Sequence, residues 1–381
     1  MLTDLALGLA HHGIEVSVIT SRQRYDDPSA HLSPLENVQG VTVYRVATPA
    51  FGRNRLIGRL IDYLGFYVAA TWTLFRRVDS NSIIVAKTDP PLISIPATLV
   101  CKLRSARLIN WLQDLFPEVA IALGIPGLQG WLGGLLQRWR NWSLQTADYN
   151  VVIGESMRLK LIEQGIVEPR IKVIHNWADG ESIKPVPHEK NDLRKSWELS
   201  NKFIVGYSGN LGRAHEFETL LGAAEILRNE NDIAFLFVGG GALSNQIKAL
   251  AREKSLNNLL FKHYQPREML SQSLGSADVH VAVLRPELEG LIVPSKYYGI
   301  AAAGRATLFI GDENGEIANI LRNTDSGLTI PIGNPQQLAN TIRSLKNSAT
   351  CNRMGINART GFENRYAYRI ALEQWLKILK D

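Results

Sequence analysis

Residues 203–216 read Phe-Ile-Val-Gly-Tyr-Ser-Gly-Asn-Leu-Gly-Arg-Ala-His-Glu. They begin with an apolar, β-branched run that predicts a strand. Gly209 and Gly212 mark a following loop in which the backbone can approach a ligand closely. In open parallel α/β sheets, ligands bind outside the carboxyl ends of the strands, where backbone amides point at anions. The stretch therefore predicts a Rossmann-like unit with an anion site, to which Arg213 and His215 offer donors.

Strand-like runs alternate with helical segments on both sides of this stretch. Toward the C-terminus they are residues 234–238, 259–262, 279–283, 307–310 and 328–330, and toward the N-terminus residues 15–20, 41–46, 82–86, 108–112 and 150–153. Such alternation favours parallel sheets with helices on both faces. We therefore predict an α/β chain of two Rossmann-like, doubly wound domains that face each other across a cleft. The predicted boundaries are 1–175 for the first domain, 176–200 for a linker, 201–365 for the second domain and 366–381 for a closing helix.

The N-terminal segment begins with a helix rather than a strand. Residues 2–10 have apolar side chains at helical spacing and lead into the strand-like run at 15–20. In a doubly wound sheet the first strand precedes the first helix and lies at the centre. The sequence therefore predicts that the first strand of the N-terminal domain and its glycine loop are missing, either through a misassigned start codon or through a real loss of activity.

The composition argues against several classes of protein. A chain of 381 residues is long enough for two or three domains, and 45% hydrophobic with 20% charged residues is typical of globular proteins. Cys101 and Cys351 lie far apart, and neither has another ligand at metal-binding spacing, so neither a disulfide framework nor a cysteine zinc site is expected. The net charge of +6 is shared between both halves, which argues against a nucleic-acid surface. The lack of a signal-peptide pattern predicts a cytoplasmic protein.

Two apolar segments in the first half are candidates for membrane contact. Residues 56–75 resemble a membrane span, but Arg59 and Asp62 would each cost about 2.5–3.5 kcal/mol at bilayer depth, so no span is predicted. The segment is either a core-packing helix or an interfacial helix on an anionic membrane. Residues 131–142 combine tryptophan with arginine, which suits lipid headgroups. Peripheral contact with the inner face of the cytoplasmic membrane is therefore one of two open interpretations.

Two further glycine-containing loops follow predicted strands. Residues 239–241 are three glycines, and residues 289–299 read Glu-Gly-Leu-Ile-Val-Pro-Ser-Lys-Tyr-Tyr-Gly. The proline predicts a helix start nearby, which places Lys296 in a first turn where a cation opposes the helix macrodipole. An anionic ligand would resolve that conflict, and the alternative is a solvated lysine on an exposed turn. If the loops converge on one cleft, they form a diphosphate site.

Several motifs in a fixed order resemble a known family. They are residues 206–221, 237–241, 264–268, 277–284 and 289–299 in the second half, and 111–118 and 173–179 in the first. On these motifs the sequence is similar to family 4 of the retaining glycosyltransferases, and more narrowly to its bacterial fucosyl- and N-acetylfucosaminyltransferase-like branch. The resemblance extends over nearly the whole chain.

The resemblance implies the GT-B fold, with a UDP- or GDP-linked sugar donor held by the second domain and a saccharide acceptor held by the first. It also implies a hexosyltransferase that uses neither a cofactor nor a metal ion. The catalytic residues would be Asp114, Arg213 and Lys296. The donor-binding residues would be Gly209, Asn210, Gly212, His215, Gly239, Gly240, Gly241, Tyr264, Gln265, Pro266, Glu289, Gly290 and Ser295. Gln113 and Glu118 would lie on the acceptor side.

The expected chemistry requires stabilisation of the negative charge that grows on the departing diphosphate. Arg213, Lys296 and backbone amides suit that role, and the departing phosphate would itself help to deprotonate the acceptor hydroxyl. Asp114 would assist, and no Asp or Glu nucleophile is required. The sequence departs from the wider family in that the Glu-x7-Glu signature is absent, and Asn210 and His215 stand where that family has Arg and Lys.

The function predicted from these features is sugar transfer to a lipid-carrier-linked or oligosaccharide acceptor during bacterial surface polysaccharide assembly. The first alternative is a catalytically impaired or truncated sugar-nucleotide-binding relative. A nicotinamide-dependent oxidoreductase is disfavoured, because none of the glycine loops reads Gly-x-Gly-x-x-Gly. A sugar-nucleotide epimerase would share the two-domain architecture and is a minor alternative.

Overall fold

Strands flanked by helices make up both halves of the molecule. The computed structural model describes residues 1–23, 32–49, 56–346 and 349–380, without the side chains of residues 56, 57, 59 and 60. The charge of Arg59, used above against a membrane span, thus lies outside the described side chains. The strands are β1 (Val16–Ser21), β2 (Leu35–Val38), β3 (Val41–Val46), β4 (Ile83–Lys87), β5 (Arg107–Trp111), β6 (Tyr149–Val152), β7 (Ile171–Val173), β8 (Phe203–Asn210), β9 (Ile233–Gly240), β10 (Leu259–Lys262), β11 (Val279–Val283), β12 (Ala306–Ile310) and β13 (Gly327–Ile330).

The helices cover both faces of the sheets. They are α1 (Leu2–His11), α2 (Leu56–Arg77), α3 (Ser94–Arg104), α4 (Glu118–Ala122), α5 (Trp131–Thr146), α6 (Glu155–Glu163), α7 (Asp192–Ser196), α8 (Glu218–Ile226), α9 (Ser244–Glu253), α10 (Leu270–Gly275), α11 (Lys296–Ala302), α12 (Glu316–Thr324), α13 (Pro335–Lys346), α14 (Ala349–Arg365) and α15 (Tyr368–Lys380). The predicted fold class, two α/β domains with parallel sheets, is confirmed.

The second domain contains one parallel sheet in the order β10-β9-β8-β11-β12-β13. Every residue of β11 and β12 is buried, as expected for central strands that are covered by helices on both faces. The chain runs from β8 to β9 on one side and returns to β11 on the other, so the strand order reverses beside β8. Ligands of such sheets bind at this reversal, and the loop of residues 210–217 begins there.

The first domain contains two separate sheets. The four-stranded sheet is parallel in the order β4-β5-β6-β7, and the three-stranded sheet has the order β1-β3-β2. Strand β2 is antiparallel to β3 and lies between the runs at 15–20 and 41–46, where the sequence analysis predicts no strand. Val16 of β1 and Val85 of β4 pack against the same core cluster, so the two sheets share one core. Among the described residues, no strand pairing joins β1 to β4.

The last helix, α15, returns to the first domain. Leu372, Trp375 and Ile378 pack with Leu5 of α1 and Trp111 of β5 in one buried cluster. The Trp375 ring is completely buried, and its centroid lies 5.1 Å from that of Trp111. The C-terminal end of the chain therefore completes the core of the N-terminal domain.

A shared hydrophobic core also joins the two domains near the cleft. Leu115 and Met157 of the first domain belong to the same buried cluster as Leu291, Tyr298 and Ile317 of the second. The loops that carry the predicted site residues extend from this core. Its packing therefore sets how the two sets of loops face each other.

The two segments considered for membrane contact form α2 and α5. Within the described ranges, we find no helix with both the length and the apolar character that crossing a bilayer requires.

Candidate active site

The first two glycine loops meet at the ends of β8 and β9. These strands pair in register as far as Gly209 with Gly239 and Asn210 with Gly240. Gly209 and Gly239 have φ angles of +124° and +137°, which favour glycine. A Cβ atom at position 239 would collide with the carbonyl oxygen of Gly209, and one at Gly241 would collide with the Asn210 side chain. The two loops therefore converge, and glycine is required at their closest approach.

Lys296 lies against Tyr207, near the end of β8. It is the first residue of α11, as its position after Pro294 predicts. Its Nζ donates a hydrogen bond to the Tyr207 hydroxyl and lies 3.6 Å from the centroid of that ring. The hydroxyl in turn donates to the carbonyl oxygen of Asn210 at 2.9 Å. Burial lowers the pKa of the Lys296 ammonium to about 7. No carboxylate of the described residues forms an ion pair with Lys296, so the ammonium has no anionic partner within the described structure.

His215 borders the same tyrosine. Its ring centroid lies 6.1 Å from that of Tyr207, and its Nδ1 atom is buried without a hydrogen-bond partner. Burial, reinforced by the nearby Lys296, lowers the pKa of His215 to about 3. Gly212 lies alongside, because its Cβ position would be 3.8 Å from that nitrogen. A neutral imidazole with one unused nitrogen thus flanks the buried ammonium.

Arg213 and Ser295 are exposed at the edge of this group. Neither side chain has a hydrogen bond or an ion pair with a described residue. Arg213 is two residues from His215, and Ser295 directly precedes Lys296. Both side chains are therefore free to turn toward an anion beside Tyr207.

Tyr264 lies beside the second glycine loop. It is 61% exposed, and its hydroxyl donates to the carbonyl oxygen of Gly240 at 3.4 Å. Cβ positions at Gly239 and Gly240 would be 3.3 and 3.7 Å from its ring. Gln265 binds locally, through its amide to the carbonyl oxygen of His263 at 2.9 Å, and Pro266 precedes a short 3-10 turn. An exposed aromatic ring therefore adjoins the second glycine loop.

The two domains meet directly at residues 289–292. The amide of Leu115 donates to the carbonyl oxygen of Leu291 at 2.9 Å, and Asp114 forms an antiparallel bridge with Ile292. The Glu289 carboxylate accepts a hydrogen bond from the amide of Glu316 at 2.7 Å. Burial, with repulsion from Glu316 and Asp312, raises the pKa of Glu289 to about 7. The structure thus brings Asp114 next to the loop of Glu289 and Gly290, as the motifs imply.

Asp114 has two charged neighbours that the sequence analysis did not identify. Burial and repulsion from Asp89 raise the pKa of the Asp114 carboxyl, whereas Lys87 and a hydrogen bond from Thr88 oppose that shift. Thr88 also accepts a hydrogen bond from the amide of Gln113 at 2.7 Å. Lys87 ends β4, and Asp89 follows it. The rule that ligands bind beyond the carboxyl ends of parallel strands could have pointed to both residues.

Glu118 is held by other residues of the first domain. Its carboxylate forms an ion pair with Arg140 at 2.5 Å and accepts hydrogen bonds from Gln137 and Gln164 at 3.0 and 2.9 Å. Arg140 is 3% exposed. The contacts of Glu118 therefore join α4, α5 and the residue that follows α6. Among the described residues, no contact links Glu118 directly to Asp114.

Metal ligation has no candidate within the described ranges, where no three His, Cys, Asp or Glu side chains are grouped so as to hold an ion.

Two protein-family models match the chain in succession. The model described as "Glycosyl transferase 4-like domain" matches residues 1–177, and the model described as "Glycosyl transferases group 1" matches residues 189–361. The boundary between the matches falls in the connection between β7 and β8. The two models thus correspond to the two domains of the structure.

Two curated proteins are similar over most of the chain. The probable glycosyltransferase WbjE of Pseudomonas aeruginosa is 28% identical over 328 residues, which is 86% of this chain and 81% of that protein. The putative colanic acid biosynthesis glycosyl transferase WcaI of Escherichia coli K12 is 28% identical over 325 residues, which is 82% of this chain and 79% of that protein.

Solved structures share the fold at lower sequence identity. Sucrose-phosphate synthase from Thermosynechococcus elongatus superposes with a TM-score of 0.79 at 18% identity. The match covers 100% of this chain and 92% of the synthase chain. Anabaena HepE, in complex with UDP and glucose, superposes with a TM-score of 0.70 at 17% identity. The match covers 90% of this chain and 86% of the HepE chain. The two family matches together span nearly the whole chain, which therefore belongs to the glycosyltransferases that join a 4-like domain to a group 1 domain in the GT-B fold.

Proposed function

We propose that the protein is a retaining hexosyltransferase that moves a sugar from a nucleoside diphosphate to a lipid-carrier-linked saccharide in bacterial surface polysaccharide assembly. The observation that carries this proposal is the Lys296 ammonium, which rests on Tyr207 without an anionic partner beside the unused nitrogen of His215. A buried cation is unfavourable unless it is paired. The diphosphate of a sugar nucleotide would supply the missing charge.

The glycine loops support the same ligand. Amides at the ends of β8 and β9 would bind the diphosphate, with Gly209, Asn210 and Gly212 on one side and Ser295 on the other. Gly239, Gly240 and Gly241, with Tyr264, Gln265 and Pro266, would hold the nucleoside. HepE, which shares the fold, was solved with UDP, and this supports a UDP-linked donor, with a GDP-linked donor as the alternative.

Departure of the diphosphate is the chemical step that this site would assist. Lys296, Arg213 and the loop amides would stabilise the negative charge on the leaving oxygens, and the proposal assigns this compensation to them without a metal ion or cofactor. The leaving phosphate would take the proton of the acceptor hydroxyl, so the acceptor would attack from the face that the phosphate leaves. Attack from that face preserves the configuration at the sugar carbon without a covalent intermediate. The raised pKa of Asp114 suits it to assist that proton transfer.

The identity of the sugar and of the pathway is the finer part of the proposal. The ordered motifs of the chain together resemble those of fucosyl- and N-acetylfucosaminyltransferases, so a deoxyhexose or its N-acetylated form is proposed as the sugar. WcaI carries colanic acid biosynthesis in its name, which supports assembly of a surface polysaccharide. Glu289 and Gly290 would approach the sugar, and Gln113 would approach the acceptor.

The outer face of the first domain supports contact with the membrane that would hold a lipid-linked acceptor. Helix α3 lies between α2 and α5, and Arg104 of α3 donates to the carbonyl oxygen of Phe75 in α2 at 2.9 Å. Lys102 of α3 lies 4.9 Å from the ring centroid of Trp142 in α5. The three helices therefore form one continuous layer, which we call the α2–α3–α5 face.

Large apolar side chains point outward from this face. Val68 and Trp72 of α2 are 72% and 61% exposed, and Leu103 of α3 is 72% exposed. The other exposed large apolar residues described in the three helices are Ile61, Tyr63, Leu64, Leu99, Trp131 and Trp139. The three helices contain six Arg and Lys residues besides the buried Arg140, and one acidic residue, Asp62. Basic helices with exposed apolar residues bind anionic membranes, so we place the protein at the inner face of the cytoplasmic membrane.

The experiment that tests the donor site is nucleotide binding followed by turnover. UDP or GDP should raise the melting temperature of the wild type, because a ligand at 100 times its Kd stabilises the fold by about 2.7 kcal/mol. Lys296→Ala should lose that shift and lower turnover of the matching nucleotide sugar by about 100- to 1000-fold. Lys184→Ala serves as the control, since its ammonium is exposed and pairs only with Glu181.

Two outcomes would count against this function. If neither nucleotide shifts the melting temperature, or if Lys296→Ala binds and turns over the donor like the wild type, the diphosphate site is wrong. Binding without turnover in the wild type would favour the alternative, a catalytically impaired sugar-nucleotide-binding relative.

A further inference from the structure

The loop of residues 289–292 is lodged between two segments of the first domain. On one side it bonds to Asp114 and Leu115, as described above. On the other side it touches the start of α6, because a Cβ atom at Gly290 would lie 3.2 Å from the carbonyl oxygen of Ser156. Gly290 has a φ of +75°, which favours glycine. The loop proposed to approach the donor sugar is thus confined by the acceptor domain.

Glu316 crosses from the second domain to the same helix start. It is the first residue of α12, is 5% exposed, and accepts a hydrogen bond from the amide of Ser156 at 2.9 Å. The first amides of a helix have no partner within the helix, and a carboxylate near them also interacts favourably with the helix macrodipole. The other carboxylate oxygen lies 3.9 Å from Nδ1 of His175 in the first domain. The second domain therefore provides an N-terminal cap for α6 in the first.

The backbone of Glu316 extends this connection to the sugar loop. Its amide donates to the Glu289 carboxylate at 2.7 Å, so Glu289, Glu316 and Ser156 form one hydrogen-bonded chain across the domain boundary. Two glycines leave room for it. A Cβ atom at Gly154 would lie 2.6 Å from Cδ of Glu316, and one at Gly315 would lie 2.5 Å from the Glu289 carboxylate. The carboxylates of Glu289 and Glu316 are therefore both closely packed against neighbouring backbone.

We propose that Glu316 is a positioning residue that holds the loop of residues 289–292 against the acceptor domain, through an interdomain clasp formed by Glu289, Glu316 and Ser156. The clasp exists only when the domains are closed, because Ser156 belongs to the first domain and Glu316 to the second. Separation of the domains would break their hydrogen bond and expose both groups to water. It rests on the proposed function only in assigning that loop to the donor sugar. The clasp thus couples domain closure to the placement of the sugar.

Three variants test the hydrogen bond. Glu316→Ala removes the acceptor, and Glu316→Gln keeps an acceptor oxygen at the same length. Glu313→Ala is the control, because Glu313 is exposed in the loop that precedes α12. In nucleotide-free protein, Glu316→Ala should speed hydrogen exchange at the start of α6 by about tenfold, the factor that one hydrogen bond provides. Its radius of gyration in small-angle X-ray scattering should increase, while Glu316→Gln stays near the wild type.

A fourth variant breaks the clasp from the other domain. Gly154→Ala places a methyl group against Glu316, and the backbone at position 154 has a φ of −172°, which alanine adopts without strain. This variant should reproduce the faster exchange and the larger radius even if Glu316→Ala folds poorly. The double variant should be no more open than either single variant, because both changes break the same contact.

The kinetic readout separates positioning from binding. Glu316→Ala should lower kcat by about 10- to 100-fold, since small displacements of reacting groups have effects of this size. The Kd for the nucleotide alone should stay unchanged, because its proposed site lies on the second domain. Glu316→Gln should recover most of kcat.

The clasp is wrong if Glu316→Ala and Gly154→Ala both fold and keep wild-type exchange, radius and kcat. Equal loss in Glu316→Gln and Glu316→Ala would also overturn it, because the first retains the acceptor. Exchange and scattering need no substrate. If the wild type transfers no sugar but the variants open, the proposed function fails while the clasp stands.

Discussion

Lys296 links ligand binding to stability through a single ionisable group. Its ammonium lies against the ring of Tyr207 instead of a carboxylate, and burial lowers its pKa to about 7. An unfolded lysine has a pKa of 10.5, so the unfolded chain keeps its proton over a range in which the folded chain has released it. Burial therefore disfavours the charge on Lys296 that would pair with a diphosphate.

This difference predicts that the stability of the ligand-free protein depends on pH. Between about pH 7 and pH 10.5, the unfolded state binds more protons at this residue, so the free energy of unfolding rises with pH, by at most ~1.4 kcal/mol per pH unit. It falls as pH drops toward 7. Lys296→Met lacks the group. The difference in unfolding free energy, wild type minus Lys296→Met, should thus increase with pH in urea titrations, and a constant difference would contradict a buried, depressed lysine.

At the scale of elements, α2, α3 and α5 show how helices can cover a sheet and still present apolar side chains outward. Helix α2 has Leu64, Val68 and Trp72 four residues apart, which places them on one stripe. Leu99 and Leu103 form a similar stripe on α3. Helix α2 thus packs on the domain with its inner side, as the core-packing interpretation predicts, and exposes the outer side on which the proposed membrane contact would depend.

The α2–α3–α5 face should bind anionic vesicles. The wild type is expected to co-sediment with phosphatidylglycerol vesicles at low salt and much less with neutral phosphatidylcholine vesicles. Val68→Glu and Leu103→Glu each replace an exposed apolar side chain with an acid, and each should weaken binding about tenfold.

A matched control for these variants is Ile356→Glu. Ile356 is 67% exposed on α14 of the second domain, so the same change there should leave vesicle binding unaltered. Failure of the wild type to sediment, or equal loss in Ile356→Glu, would show that this face does not contact the membrane.

At the scale of the whole molecule, the domains are joined twice. The shared core and the clasp join them beside the cleft, and α15 joins them on the side of α1. Trp375 of α15 lies between Trp111 and other residues of the first domain and has no exposed surface. The N-terminal domain thus depends on the last helix of the chain for part of its core.

Removal of the Trp375 ring should therefore destabilise the N-terminal domain. Trp375→Ala leaves a large cavity, and such changes cost about 3–5 kcal/mol. Urea unfolding combined with hydrogen exchange of β5 should detect the loss in the first domain. Trp131→Ala is the control: this ring is 80% exposed, and its loss should change stability by less than about 0.5 kcal/mol. Similar effects of the two variants would exclude a core role for α15.

The two α/β domains, the glycine loops and the position of Lys296 at the start of a helix could be predicted from the sequence. These features depend on local order along the chain, namely on apolar periodicity, on glycines after strands and on a proline before a helix. The structure adds β2, a short and largely exposed strand whose apolar pattern is too weak to predict.

The contacts between distant residues could not be predicted from the sequence and depend on the packing of the folded chain. Ser156 and Glu316 are 160 residues apart, and Asp89 reaches Asp114 because β4 and β5 are neighbours. The outward face of α2 and the return of α15 to the first domain depend in the same way on packing between elements. Contacts of this kind arise from the placement of whole elements, and local periodicity carries no information about that placement.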